Sequence, residues 1–376
     1  MHIRGLQEVL SKALGTVAKA IATHNTLPIL ENISMKAAGS VLTLVATDLE
    51  ISVHTTVEVE VIEEGAVTVP AKLLVQYLSL IPQGTTVDMQ LLENLTLLVK
   101  TPFSETKMRC LPAEDYPLIP SFEAETTVTF DNQELLEALS KVVFSTSTNM
   151  TRPILAGVLM RKRGDKTSFA STDSVRLSEH IVFDGQELPD FSAIVPAKTI
   201  YEVLRIFPRD HQEQMTVSFT KNQVRFALKD VHIISRLIEG EFPDYAQIIP
   251  KETKTRVVLS VEELTLALRR VNLFAKENNN NVKFALEPDE GRVRLFTDTL
   301  EIGEDSAVLA TEEASGEAVT VALNAQFVLD VLGNIRTTHV ALLASAAFSP
   351  FLVRCVTKGR EHDDYMHLIM PLRVSS

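Results

Sequence analysis

The chain writes one pattern three times. Thr47-Asp48 stands in "LVATDLEIS", Thr172-Asp173 in "FASTDSVRL" and Thr297-Asp298 in "RLFTDTLEI", so the aspartates recur every 125 residues. The stretch "VTVPAKLL" (67–74) returns as "AIVPAKTI" (193–200) and, more worn, as "VTVALNAQF" (319–327). Pro70 and Pro196 are 126 apart, and Leu323 falls 127 further on. The ends agree as well. "MRCLPAEDYPLIP" (108–120), "SRLIEGEFPDYAQIIP" (235–250) and "VRCVTKGREHDDYMHLIMP" (353–371) each put an Asp-Tyr after an apolar strand and close on a proline. A period of this length is domain-sized rather than solenoid-sized, so each copy should own a core. Polar seams at "SFEAETT" (121–127) and "KETKT" (251–255) divide the chain into 1–121, 126–251 and 254–376.

Each copy keeps one internal order. A short strand leads to a helix, about three strands follow, then a second helix, then about three more strands. The first helices carry the stripes Leu6, Val9, Leu10, Ala13, Leu14, Val17; then Leu135, Leu136, Leu139, Val142, Val143; then Leu264, Ala267, Leu268, Val271. The second helices carry Leu73, Leu74, Tyr77, Leu78; Ile200, Val203, Leu204, Phe207; and Phe327, Val328, Val331, Leu332. This is the spacing of a helix with one buried face. "VLTLVATDLEISVHTTVEVEV" (41–61) alternates with period two around its Thr-Asp pair and reads as a β-hairpin. The fold class is therefore α+β, with helices packed on antiparallel sheet.

Several function classes lose support here. No run of about 18 apolar residues exists, which argues against a membrane span. The helical, broken apolar pattern of "MHIRGLQEVLSKAL" is unlike a signal peptide. Only Cys110 and Cys355 occur, too few for a disulfide framework or zinc spacing and suited to a reducing cytoplasm. They fall two residues after Met108 and Val353, at matching strand positions, as small buried hydrophobes would. There is no P-loop, dinucleotide fingerprint, nucleophile elbow or HExxH. "HDDYMH" (362–367) invites a metal-dependent hydrolase using His362 and His367. The commoner reading is a polar turn entering the last strand, and no cofactor or metal is expected.

Charge is uneven. The chain carries −13, yet the six helical segments together carry +4, leaving −17 elsewhere. Lys198, Arg205 and Arg209 share the helix face opposite Ile200, Val203 and Leu204. Exposed helix faces commonly collect such residues; a helical surface for an anion, shielded by an acidic exterior, is the sharper reading.

These residues resemble the bacterial β sliding clamps, the processivity subunits of DNA polymerase III. The resemblance is carried end to end by "LPIL" (27–30), "VPAK" (69–72 and 195–198), "TRPILAGV" (151–158), "STDSVRL" (171–177), "EGEFPDY" (239–245), "NAQFVLDVL" (324–332) and "IMPLR" (369–373). It implies a non-catalytic, cytoplasmic protein of three similar domains. Two chains would join head to tail into a closed six-lobed ring around duplex DNA, held without base readout. "VPAK" would recur because each lobe needs the same inner helix start, its proline in the first helical turn. Lys12, His24, Lys72, Asn149, Lys198 and Arg205 are the implied DNA contacts, with His24 where an arginine is common in the family. Met108, on an edge strand, with Leu273 and Phe274 opposite, is the implied dimer contact.

The resemblance also implies a pocket for short linear motifs of the Gln-Leu-x-Leu-Phe kind. These would come from the polymerase III catalytic subunit, the clamp loader, translesion polymerases, ligase and mismatch-repair proteins. Its expected lining is Arg152, Leu155, Thr172, Val175, Arg176, Leu177, Pro243, Ile248, Asn324, Phe327, Phe348, Pro350, Leu368, Met370, Pro371, Leu372 and Arg373. Apolar wells with a few polar groups suit peptide anchors. Val175 replaces a frequent histidine and Phe327 a frequent tyrosine, which implies a shift toward apolar anchors. A clamp-fold interaction protein that has lost DNA tethering is the other reading.

Overall fold

The computed structural model describes residues 1–21, 27–117, 122–149, 151–183, 185, 190–209, 213–298 and 303–373. It is an α+β protein in which the registered strand pairs run antiparallel. Its six α-helices are α1 (Gln7–Val17), α2 (Ala71–Ser79), α3 (Asn132–Val143), α4 (Ala197–Ile206), α5 (Val261–Ala275) and α6 (Ala325–Asn334).

α2, α4 and α6 each begin on the alanine that directly follows a strand: Gly65–Pro70, Phe191–Pro196 and Val319–Asn324. Asn324, not Leu323, is thus the counterpart of the two prolines. Pro70 ends its strand with ψ 110° as the helix N-cap, one position before the first turn expected for it. Asn324 does the capping chemically, accepting the Gln326 N–H at 2.9 Å. Because this extra strand precedes each second helix, four or more strands stand where about three were expected.

The chain packs as two compact units, Met1–Leu136 with Lys198–Leu237, and Glu137–Ala197 with Ile238–Ser376. These cut through the second copy because sheets run from copy to copy. In the first unit, Val231–Arg236 pairs with Ile51–Glu58, Ile233 opposite Val53, which makes one sheet of eight strands. In the second unit, Tyr365–Ile369 pairs with Arg176–Phe183, Leu177 opposite Leu368. Both joins set the last strand of one copy against the strand after the preceding copy's Thr-Asp turn. Ser104–Arg109 forms one edge of the first unit's five-stranded sheet, and Ser306–Ala310 one edge of the second unit's four-stranded sheet.

The Thr-Asp anchors recur for a local reason. Thr47 Oγ1 donates to Ile51 O at 2.8 Å, and Asp48 Oδ1 accepts from the N–H groups of Glu50 and Ile51. Thr172 and Asp173 do the same for Arg176 and Val175. Each turn carries a residue at positive φ, Leu49 at 76° and Ser174 at 84°. Side chains that satisfy the turn's own backbone are what specify it.

Most helical stripes are buried. Leu264, Leu268 and Val271 of α5 join Val328, Val331 and Leu332 of α6 in one core with Phe284 and Phe351. Burying each such side chain contributes about 1.5–3 kcal/mol. Leu6, Val9 and Leu73 depart from the expected stripes and are exposed. Gln7 is buried instead because its Nε2 donates to Leu78 O at 2.6 Å, a polar tie between α1 and α2. The two cysteines are not counterparts. Cys110 follows the strand Ser104–Arg109, whereas Cys355 lies inside Phe351–Thr357, and burial pushes both thiols up. Nor does the third Asp-Tyr match the others: Tyr365 opens the last strand, while Tyr116 and Tyr245 follow theirs.

Candidate functional site

Arg176 organises the second unit's candidate site. It starts the strand Arg176–Phe183, so its side chain leaves the Thr172–Arg176 turn toward α6. Its Nε donates to Asp173 Oδ2 at 2.9 Å, Nη1 to Asp330 Oδ2 at 2.5 Å, and Nη2 to Phe144 O at 2.9 Å. The guanidinium carbon lies 4.4 Å from the Phe327 ring centroid. Asp330 is one helical turn from Phe327, so α6 supplies both the ring and the charge. Two carboxylates, a carbonyl and a π face satisfy a guanidinium that retains only 11% side-chain exposure.

The chain's last described residues close this region. Met370 N–H donates to Val175 O at 2.8 Å, and Leu372 N–H to Ala322 O at 2.8 Å. Thr172, Leu177 and Leu368 stand opposite one another across three strands and are buried, as is Leu155. Arg152 reaches Ser174 Oγ at 3.4 Å. Val175, Ile248, Phe348 and Met370 are exposed large apolar side chains. Pro243 and Arg373 are exposed, and Asn324, Phe327, Pro350, Pro371 and Leu372 are half-buried. Thus the expected lining divides into a buried floor, an arginine-centred wall and exposed apolar lips. Phe144, Asp173, Ala322 and Asp330 belong to the same construction and were not expected there. Asp330 could have been found from its helical spacing to Phe327; the backbone acceptors Phe144 and Ala322 leave no mark in the sequence.

Behind this wall His367 is fully buried, its Nδ1 2.7 Å from Ser178 Oγ, which lies 2.7 Å from Ser145 Oγ. Burial, and then the Arg176 charge, push the imidazole down to about 3. His362 instead meets Thr357 Oγ1 at 2.8 Å and Asp364 at 3.6 Å. The two histidines therefore face different partners. Among the described residues no group of three His, Cys, Asp or Glu could hold a metal, so the hydrolase alternative has no ligand set there.

The implied DNA contacts fall into two classes. Lys12 on α1 and Lys72 on α2 are exposed, without a carboxylate partner among the described residues. Lys198 instead binds Asp48 at 2.5 Å and Glu50 at 3.2 Å. Arg205 binds Glu202 at 2.5 Å and the Lys19 carbonyl at 2.6 Å. Both charges are spent inside the first unit: Lys198 at the α4 start meets the first copy's acidic Thr-Asp turn, and Arg205 in the last turn meets Glu202 of its own helix. Asn149 is exposed and accepts the Thr151 N–H; His24 lies outside the described residues. Of the implied dimer contacts, Leu273 is exposed and Phe274 half-buried. Met108 is only 3% exposed, its side chain turned into its own core although its strand is an edge.

Three family descriptions cover almost the whole chain: the DNA polymerase III beta subunit N-terminal domain over residues 1–120, its central domain over 129–244 and its C-terminal domain over 246–373. The chain belongs to the DNA polymerase III beta-subunit family. It is 26% identical over 374 residues to the beta sliding clamp of Bacillus subtilis, covering 97% of each. It is 28% identical over 378 residues to that of Synechococcus elongatus, covering 98% of each. Among solved structures it matches a DNA polymerase sliding clamp from Bacillus subtilis with TM-score 0.92 at 25% identity, covering all of both chains. A Pseudomonas aeruginosa sliding clamp bound to griselimycin matches with TM-score 0.92 at 26% identity, again over both full chains. For a beta subunit with phenylalanine at 327, the contact with Arg176 needs only the ring face.

Proposed function

We propose that this chain is a DNA sliding clamp: a non-catalytic subunit that gives a replicative polymerase its processivity. The observation that carries this reading is the matching of all three beta-subunit domains, in order, along one chain. Two chains close head to tail into a ring around duplex DNA. The sheet edges Ser104–Arg109 and Ser306–Ala310, the latter with Val308 exposed, fit backbone pairing between protomers better than a Met108 side-chain contact. Exposed Lys12 and Lys72 meet phosphates without reading bases, while the acidic remainder discourages adhesion elsewhere.

The Arg176-centred region takes short apolar segments of the polymerase, the clamp loader, translesion polymerases, ligase and mismatch-repair proteins. Its buried Leu155, Leu177 and Leu368, with exposed Met370 and Val175 at the lip, favour apolar anchors. The cytoplasm is the compartment such partners require. The test is primer extension on a long single-stranded circle with a beta-dependent polymerase and its loader. Adding this chain should lengthen products from short to full-circle, and no lengthening would remove the reading.

A further inference from the structure

In the first unit's eight-stranded sheet the first copy meets the second along one strand pair, and two histidines face each other across it. His54, from the first copy, stands directly opposite His232, from the second. Directly opposed strand residues have Cβ atoms about 4.5–5.5 Å apart. Both side chains lie on the sheet face away from the core: their chain neighbours Val53 and Ile233 are fully buried, while the histidines are half-buried. The two are distant in sequence, so no spacing motif marks them. One period further on, the same place in the second unit's join holds Glu179 opposite Met366, and the Tyr245 hydroxyl donates to Glu179. In the first unit the corresponding Tyr116 accepts the Thr47 N–H instead, at 3.1 Å.

The two rings are little engaged. His54 Nε2 lies 3.1 Å from Ser52 Oγ, and with that nitrogen donating, the Nδ1 lone pair is left for a ligand. His232 has no hydrogen-bond partner among the described residues, and its Nδ1 is buried without one. Burial first, then His232, holds His54 down to about 4, and burial first also lowers His232. At pH 7 both rings are therefore neutral, the form in which imidazole ligates a metal. Of the charged neighbours, Arg225, diagonal to His232 across the next strand, opposes a cation there, and Asp230 favours one.

We propose that His54 and His232 form a two-histidine site for a divalent transition-metal ion such as zinc, and that the ion staples the first copy's sheet to the second's. Imidazole nitrogens bind zinc at about 2.0–2.1 Å and select against magnesium and calcium, which take oxygen ligands. No third His, Cys, Asp or Glu joins the pair among the described residues, so water completes the coordination. The two ligands come together only when their strands pair, so binding stabilises the join.

The test is calorimetric titration of the full chain with Zn2+ at pH 7, with its thermal midpoint measured in the presence and absence of the ion. The native chain should show a saturable site and a raised midpoint. His54→Gln and His232→Gln should each lose that site and the shift, and the double variant should lose no more than either. The metal-free midpoint of each variant reports its fold, and His54→Cys, which restores a zinc ligand, should regain the site. His362→Gln, remote from the pair in sequence and in a different unit, should keep it. No saturable site in the native chain, a site that survives either single substitution, or a site lost with His362→Gln would overturn the proposal.

Discussion

The central carbon of the Arg176 guanidinium lies 4.4 Å from the Phe327 ring centroid, while Nη1 holds Asp330 at 2.5 Å. One α6 turn therefore fixes one arginine from two directions. Removing Asp330 would leave that largely buried charge with Asp173 and Phe144 O only. Asp330→Ala should cost about 1–3 kcal/mol of stability. It should also weaken peptide binding several-fold by freeing the wall. Urea denaturation and peptide anisotropy on one preparation check both; an unchanged affinity would mean that Arg176 holds the fold and not the pocket.

His367 predicts a pH dependence. Its ordinary value is 6.5, and burial first, then Arg176, hold it down to about 3 in the folded chain. Below pH 6.5 the unfolded chain takes up a proton that the folded chain refuses. Stability from this group is therefore intact above about 6.5 and is lost progressively as pH falls toward 3. Between pH 7 and pH 5 the loss should be about 2 kcal/mol. His180, pushed down to about 4 by burial first, adds in the same direction. His367→Gln should narrow the difference between urea midpoints at pH 7 and pH 5; an unchanged difference would assign it to other groups.

The paired and unpaired lysines should separate in DNA binding. Lys12→Ala and Lys72→Ala should each lower the salt dependence of duplex affinity by about one unit of log–log slope per protomer. Lys198→Ala should change it little, since Asp48 and Glu50 already hold that ammonium. Asp48→Asn should then strengthen binding by releasing it. Affinity on a short linear duplex at four salt concentrations would decide, and equal slopes for all three lysines would contradict the division.

Gly157 sits in "TRPILAGV" with no room for a side chain. A Cβ there would lie 2.6 Å from Ile194 Cγ2 and 2.8 Å from the Val195 carbonyl oxygen. Gly157→Ala should destabilise by about 1–3 kcal/mol or more, because the obstacle includes backbone. A lower thermal midpoint is expected, and an unchanged one would require the paired strand Phe191–Pro196 to shift at no cost.

Periodicity is local, so the sequence revealed the three copies, the six helices and the hairpin at Thr47-Asp48. The Thr-Asp anchors were legible because the turn chemistry is written in the turn itself. What joins the copies was not legible. Arg176 and Asp330 are 154 residues apart and Lys198 and Asp48 150 apart; the helical spacing of Asp330 to Phe327 is the one local sign of the first pair, and nothing near Lys198 marks Asp48. Leu6, Val9 and Leu73 failed as core residues, and Gln7 took a buried place on α1 through its hydrogen bond to Leu78. Among the expected pocket residues, the resemblance supplied the names; their division into buried, arginine-centred and exposed groups came from sheet register and the Met370 and Leu372 backbone bonds.

The most direct test of DNA tethering is topological. The chain is loaded on a nicked circular plasmid by a beta-subunit loader, and protein that co-elutes with DNA in gel filtration is counted before and after one restriction cut. A sliding clamp stays on the circle and runs off the linear form. Equal retention on both would indicate ordinary DNA adhesion, and absence from the circle would indicate a clamp fold without tethering; either result contradicts the proposed function.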